Sequence, residues 1–367
     1  MKVFLLTTQA VAPPWNGCDK NLARTLLAGD AGVEYSFVGD RSELACPLAP
    51  YQPTTPARRG HWPSKGEKAR LFARLLVHPP RVDLVHAIVT FRRGAVSPWA
   101  ASLLPLLQRN PLVITCPSGS FLPRRLLQRA RIVVALSRRT EQTLRGLGVP
   151  AVRHIPPGVD LVRFSPAPRE VGLRMLRIDE GPLVLFAGHL DHGGGLEAAI
   201  EVVARLRRRV PAVRLLCATR TRPHQDATAL RAGLHRLAGS LGLHDALVEL
   251  GPSADMRAAL LACSAVVFQP DVMGMKADYP LTLLEALACG RPVVVSGTSP
   301  LPELADGGPA VTIADAGDSA TVDHLERLIV DSEFAAVSSS AARSLAERRF
   351  GAEAMVAAYG DLYSALQ

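Results

Sequence analysis

The sequence predicts an α/β protein built from two doubly wound domains, and three observations carry that expectation. Short apolar runs rich in β-branched residues alternate with segments of helical period almost from end to end. The runs fall into two sets, and a proline-bearing, non-periodic stretch separates the sets. Strands that read as continuous apolar runs belong to parallel sheets covered on both faces, and strand–helix alternation supplies the crossovers such sheets need.

The first set of strands is Val3–Thr7, Tyr35–Val38, Leu84–Ile88, Leu112–Thr115, Ile132–Leu136 and Val152–Ile155. The second is Leu183–Ala187, Val213–Ala218, Leu247–Leu250, Ala265–Phe268, Pro292–Ser296 and Ala310–Ile313. Helical patterns fill most gaps, among them Lys20–Leu27, Thr140–Leu147, Leu196–Arg208, Asp226–Leu241 and Thr321–Val330. The break lies near Ser165–Gly181, where Pro166 and Pro168 precede a charged stretch without period, giving domains 1–168 and 169–349. A second irregular stretch, Asp40 to Ser64, carries prolines 47, 50, 53, 56 and 63. A loop that long is either a functional lid or an ornament.

A chain of 367 residues suits two domains, and 48% hydrophobic residues at a mean hydropathy of +0.16 allow substantial cores. No run approaches the ~18 apolar residues of a membrane-spanning helix. The apolar stretch from Val3 to Leu6 is shorter than the ~7 residues of a leader's hydrophobic region and reads as a buried first strand. Cysteines 18, 46, 116, 217, 263 and 289 are far apart, without a C-x-x-C pair, which fits reduced thiols and a cytoplasmic location. The net charge of +9 comes mostly from arginine. No nucleic-acid module is recognisable, and 5% aromatic residues leave little for base stacking. Leu122 to Arg131 is basic and amphipathic, as a plain surface helix or a segment resting peripherally on a membrane would be.

Three segments have the composition of sites. Pro13-Pro14-Trp15-Asn16-Gly17 joins a strand to a helix, and a helix amino terminus behind such a turn offers N–H groups to a phosphate. Gly188-His-Leu-Asp-His-Gly193-Gly194-Gly195 makes the same kind of junction in the second domain. Gly193-x-Gly195-x-x-Ala198, with Arg220 after the next strand, also reads as a variant dinucleotide fingerprint of an NADP-dependent oxidoreductase. Its glycines begin several residues after the strand, which counts against that reading. In Lys276 to Ser296, Pro280 starts a helix, Gly290 ends it and Pro292 opens a strand. Glu285 falls within this otherwise apolar helix, Leu281–Ala288. Burying a carboxylate requires hydrogen bonds, so the residue marks either a partly exposed face or a site.

Three stretches resemble the hallmarks of glycosyltransferase family four, retaining enzymes of the GT-B fold that use nucleotide sugars. They are Ala135-Leu-Ser137…Leu144-x-x-Leu-Gly148-Val149-Pro150…Ile155-Pro-Pro-Gly158-Val-Asp160…Phe164-x-Pro166, then Pro280-Leu-Thr-Leu-Leu-Glu285-Ala-Leu-Ala-Cys-Gly290-Arg-Pro-Val, then Pro302-Glu303-Leu304 with Asp306-Gly307. The closing Phe350…Tyr359…Tyr363 resembles the family's last helix, which crosses back so that 350–367 joins the first domain.

The resemblance implies two Rossmann-like domains facing across a cleft, acceptor-binding first and nucleotide-sugar-binding second. It implies a retaining hexosyltransferase acting on a hydroxyl of a small-molecule, natural-product or cell-envelope acceptor, lipid-linked acceptors included. Glu285 then accepts hydrogen bonds from the ribose, the N–H groups of Leu281 and Thr282 meet the diphosphate, and Asn16 and Gly17 close over the phosphates. No metal or other cofactor is expected. Three departures stand out. The family's earlier glutamate position is Ala277, with Asp278 beside it as the candidate catalytic replacement. The Gly-Arg…Lys-Gly phosphate clamp reads Gly188-His189…Gly193-Gly194, leaving Lys276, Arg220 or Arg222 to supply charge. The histidine often found in the first domain's fourth-strand loop is absent from Thr115-Cys-Pro-Ser118. The alternatives kept open are sugar-nucleotide epimerisation, a catalytically weak homologue, and the NADP-dependent oxidoreductase.

Overall fold

The computed structural model describes residues 1–8, 11, 12, 15, 17–29, 32–39, 66, 70, 73, 77, 81–91, 110–221, 225–251, 254–274 and 276–367. The candidate lid from Asp40 to Ser64, Asn16 and Arg222 lie outside the described residues. Two compact units result. The first comprises Met1–Gly158, Gly274–Pro280 and Phe350–Gln367, and the second comprises Val159–Met273 and Leu281–Arg349.

The first unit holds a six-stranded parallel sheet in the order β2-β1-β3-β4-β5-β6. Its strands are β1 (Lys2–Thr7), β2 (Glu34–Phe37), β3 (Leu84–Ile88), β4 (Leu112–Cys116), β5 (Ile132–Ala135) and β6 (Val152–His154). Successive residues of β1 enter opposite cores. Phe4 and Leu6 pack with Leu126, Leu127 and Leu144, while Val3 and Leu5 pack with Leu22, Leu26, Met355 and Tyr359. Burial on both faces is why these strands read as unbroken apolar runs. The covering helices are α1 (Cys18–Ala28), α2 (Arg124–Leu127), α3 (Arg138–Gly146) and, from the chain's end, α11 (Ala352–Ser364).

A polar cluster lies inside this unit. His86 on β3 is fully buried, its Nδ1 2.6 Å from the Tyr363 hydroxyl and its Nε2 2.8 Å from Thr115 Oγ1. Thr115 Oγ1 is also 2.8 Å from the Tyr359 hydroxyl. Burial pushes the imidazole down to about 3, so the ring is neutral and pairs through one donating and one accepting nitrogen. Burial likewise pushes both tyrosine hydroxyls up. Two residues of α11 thereby complete a hydrogen-bond network rooted in β3 and β4.

The second unit holds another six-stranded parallel sheet, β12-β11-β10-β7-β8-β9. These are β7 (Leu183–His189), β8 (Arg214–Arg220), β9 (Leu247–Glu249), β10 (Ala265–Phe268), β11 (Val293–Val295) and β12 (Val311–Ile313). Its helices are α4 (Arg169–Leu176), α5 (Leu196–Arg207), α6 (Ala227–Ser240), α7 (Met256–Ala262), α8 (Leu281–Ala288), α9 (Ser319–Val330) and α10 (Ser332–Arg349). All twelve strands fall where the sequence predicts them, within two residues at each end.

The stretch read as a non-periodic linker, Ser165–Gly181, differs. It contains α4, and the units divide at Gly158/Val159 rather than at 168/169. A Cβ on Gly172 would stand 2.5 Å from the Ala258 carbonyl and the Ala262 amide, so α4 buries backbone against α7 and needs little apolar stripe. No helix among the described residues is long and apolar enough to cross a membrane.

Candidate functional site

The strand order of the second sheet reverses between β7 and β10, which lie side by side. Doubly wound sheets take ligands outside the carboxyl ends of their strands at such a point. The two loops leaving these strands pack on each other. The Asp271 amide donates to the Gly193 carbonyl at 3.1 Å. A Cβ on Gly195, whose φ is 103°, would lie 3.1 Å from the Pro270 nitrogen. The position therefore requires glycine for both its backbone angle and its close approach. Gly195 is also the N-cap of α5. At the outer side of the β7 loop, His189 is the register partner of Arg220 on β8, and Gly188 that of Thr219. The Leu190 amide donates to the Arg220 carbonyl at 2.8 Å. Thus Gly188, His189 and Arg220 are brought together at the carboxyl edge of β7 and β8.

Helix α8 occupies the span predicted for it. It starts after Pro280 and ends at Gly290, whose amide donates to Leu287 O at 2.9 Å while Arg291 N donates to Ala286 O at 2.8 Å. The guanidinium of Arg343, from α10, donates to the Ala288 carbonyl at 2.9 Å and so caps the negative end of the helix. Leu283, Leu284, Ala286, Leu287 and Ala288 are buried, whereas Leu281, Thr282 and Glu285 are only half-buried. Glu285 follows Leu281 by four residues and Thr282 by three, the two spacings that make helix-surface neighbours. Glu285 thus stands one turn from the helix start, on the face least covered by the unit's core. Burial pushes the neighbouring Cys289 thiol up to about 12, with the Glu285 carboxylate a smaller contributor in the same direction.

The segment before α8 belongs to the first unit. Asp278 is 4% exposed; its Oδ2 accepts from the Ser137 hydroxyl at 2.6 Å and its Oδ1 from the Gly119 amide at 3.0 Å. Its own amide donates to Pro117 O at 2.8 Å. Ser137 is the N-cap of α3, its Oγ also accepting from Thr140 N at 3.1 Å. Lys276 is half-buried in the same segment. Gly17, in the first unit, is the N-cap of α1 and accepts from Asn21 Nδ2 at 3.0 Å through its carbonyl.

Sequence reasoning did not single out Gln269–Asp271, whose only signal is a turn-forming Pro-Asp after an apolar strand. The place of Ser137 after a strand and before a helical pattern is an N-cap signal in the sequence. Among the described residues no group of three or more His, Cys, Asp or Glu side chains is arranged to hold a metal ion.

Residues 181–331 match the family Glycosyl transferases group 1. A D-inositol 3-phosphate glycosyltransferase of Stackebrandtia nassauensis is 31% identical over 215 residues, 56% of this chain and 48% of that protein. A GDP-mannose-dependent alpha-(1-6)-phosphatidylinositol monomannoside mannosyltransferase of Mycolicibacterium smegmatis is 31% identical over 260 residues, 64% of this chain and 65% of that protein. The matched region thus spans about half to two thirds of these relatives. Among solved structures, HepE from Anabaena, in complex with UDP and glucose, superposes with a TM-score of 0.77 at 18% identity, covering 99% of both chains. Sucrose-phosphate synthase from Thermosynechococcus elongatus gives 0.76 at 17%, covering 100% of this chain and 99% of that one. With two parallel six-stranded sheets and solved structures that superpose over the whole chain, the protein has the GT-B fold, and most of its second sheet lies in the region that matches the group 1 glycosyl transferases.

Proposed function

We propose that the chain is a retaining glycosyltransferase that moves a hexose-type sugar from a nucleoside diphosphate sugar to a hydroxyl of a small-molecule, natural-product or cell-envelope acceptor. The observation that carries this reading is the half-buried face of α8, on which Glu285 stands one turn from the helix start. The first N–H groups of a helix have no intrahelical acceptor and carry the positive end of its dipole, which suits a diphosphate. Glu285 is at the right remove to accept from ribose hydroxyls while Leu281 and Thr282 offer their amides to phosphate oxygens. Arg220, the register partner of His189 at the ends of β8 and β7, supplies the positive charge that the glycine loop lacks.

In the transfer, the bond from the anomeric carbon to the departing phosphate oxygen breaks, and a bond to the acceptor oxygen forms on the same face. The acceptor proton passes to the departing phosphate oxygen. No side-chain base or metal is needed in that scheme, and positioning and charge stabilisation provide most of the rate. The curated relatives named above act on inositol-containing acceptors. Exposed arginines of the first unit favour an anionic or lipid-linked acceptor and peripheral membrane contact: Arg124, Arg125, Arg129, Arg131 and Arg139 lie on and beside α2 and α3. The test is a thermal-shift screen against UDP, GDP, TDP, ADP and NADP. A ligand at a hundred times its dissociation constant adds about 2.7 kcal/mol of stability. Stabilisation by one nucleoside diphosphate is expected; stabilisation by NADP alone refutes the reading in favour of an oxidoreductase.

A further inference from the structure

We infer that Asp278 is a positioning residue: its carboxylate, gripped by the Ser137 hydroxyl and the Gly119 amide, fixes the segment that leads into α8 and so sets where the first N–H groups of that helix stand. The inference rests on the proposed role of α8 in holding a diphosphate.

The chain enters Gly274–Pro280 from the second unit and returns to it at Leu281, yet the segment packs as part of the first. Three hydrogen bonds hold Asp278 there, two through its carboxylate and one through its amide, at 2.6, 3.0 and 2.8 Å. The next residue, Tyr279, is fully buried with its ring edge-on to Phe350 at 6.1 Å. Ser137 follows β5 and caps α3, and a Cβ on Gly119 would collide with Thr140 Oγ1, so a larger residue there would have to displace that hydroxyl. From Asp278 to Leu281 is three residues, which reach at most about 10 Å, and one of them is Pro280, whose φ is fixed by its ring. A displacement at Asp278 therefore has little slack in which to dissipate before it reaches the helix start.

The geometry also explains why an acid stands beside the family's usual glutamate position without replacing it. Both oxygens accept from donors of the first unit in a buried site. This carboxylate is thereby committed to the polypeptide and acts on a ligand through α8.

The test compares Asp278→Asn, Ser137→Ala, Ser137→Thr and the Asp278→Asn/Ser137→Ala double variant. Dissociation constants are measured for the nucleoside diphosphate found in the thermal-shift screen, alongside kcat for transfer. Asp278→Asn and Ser137→Ala should each weaken the diphosphate by roughly tenfold, and the double variant should be no weaker than the worse single, as two members of one contact behave. Ser137→Thr, which keeps the hydroxyl, should bind like wild type. If diphosphate affinity is unchanged in both single variants while kcat falls in Asp278→Asn alone, the carboxylate works at the reacting atoms and the inference is overturned. Hydrogen exchange of the Leu284–Ala286 amides, the first in α8 with intrahelical acceptors, measured without ligand, provides an independent readout. It should quicken in Asp278→Asn and in Ser137→Ala but not in Ser137→Thr, and unchanged exchange in both overturns the inference. Should the wild-type protein bind no nucleoside diphosphate, the proposed function fails while the exchange result still decides the anchoring. If Asp278→Asn does not fold, the two Ser137 variants decide both readouts alone.

Discussion

Replacing His86 with glutamine probes the buried network of the first unit, and its effect has a pH dependence that can be worked out in sign and size. The imidazole, fully buried, is pushed down to about 3 by desolvation, whereas in the unfolded chain it titrates near ~6.5. Between those values the unfolded state binds a proton that the folded state refuses. The stability associated with neutral His86 is therefore fully present above about pH 6.5 and is lost as pH falls toward about 3, at up to about 1.4 kcal/mol per pH unit. Tyr359 and Tyr363 stay protonated throughout this window, because burial pushes both hydroxyls further up. Glutamine does not titrate. Near neutral pH His86→Gln should be destabilised by about 1–3 kcal/mol, since it leaves buried hydroxyls of Thr115, Tyr359 or Tyr363 imperfectly paired. On going to about pH 5 the gap between wild type and variant should shrink by about 2 kcal/mol. Urea unfolding followed by circular dichroism at both pH values measures the gap. A difference that stays constant with pH would show that His86 is not held neutral in the folded state.

Three further outcomes are expected. Glu285→Ala should raise the dissociation constant for the nucleoside diphosphate about ten- to a hundredfold, with Glu285→Gln in between, because charge-assisted hydrogen bonds contribute about 1.5–3 kcal/mol; an unchanged constant in a folded Glu285→Ala protein sinks the ribose assignment. Transfer activity should survive EDTA, and a loss that magnesium or manganese restores contradicts the metal-free scheme. The protein should sediment with vesicles rich in anionic phospholipid and be released as salt rises, and charge reversal at Arg124, Arg125 and Arg129 should abolish that binding; sedimentation equal to that with neutral vesicles refutes the membrane contact.

The strands were legible in the sequence because each is buried on two faces, so that β3, Leu84–Ile88, and β10, Ala265–Phe268, read as unbroken apolar runs. Helix α8 was legible for a local reason: Pro280 and Gly290 bracket it, and a lone carboxylate in an apolar span marks its open face. Helices α4 and α10 were not. Gly172 buries its backbone against α7, and α10 buries Ser338, Ala342 and Ala346, residues whose burial is imposed by neighbours rather than announced by hydropathy. The pairings at the heart of the first unit were further out of reach. Ser137 and Asp278 are 141 residues apart, and His86 and Tyr363 are 277 apart. Hydrophobic periodicity is a property of consecutive residues and by itself determined the two sheets and most of their helices. A buried hydrogen bond depends on which distant polar groups the folded chain places within about 3 Å of each other. Only the tertiary structure could decide that Asp278 is held in the first unit and that α11 closes on His86.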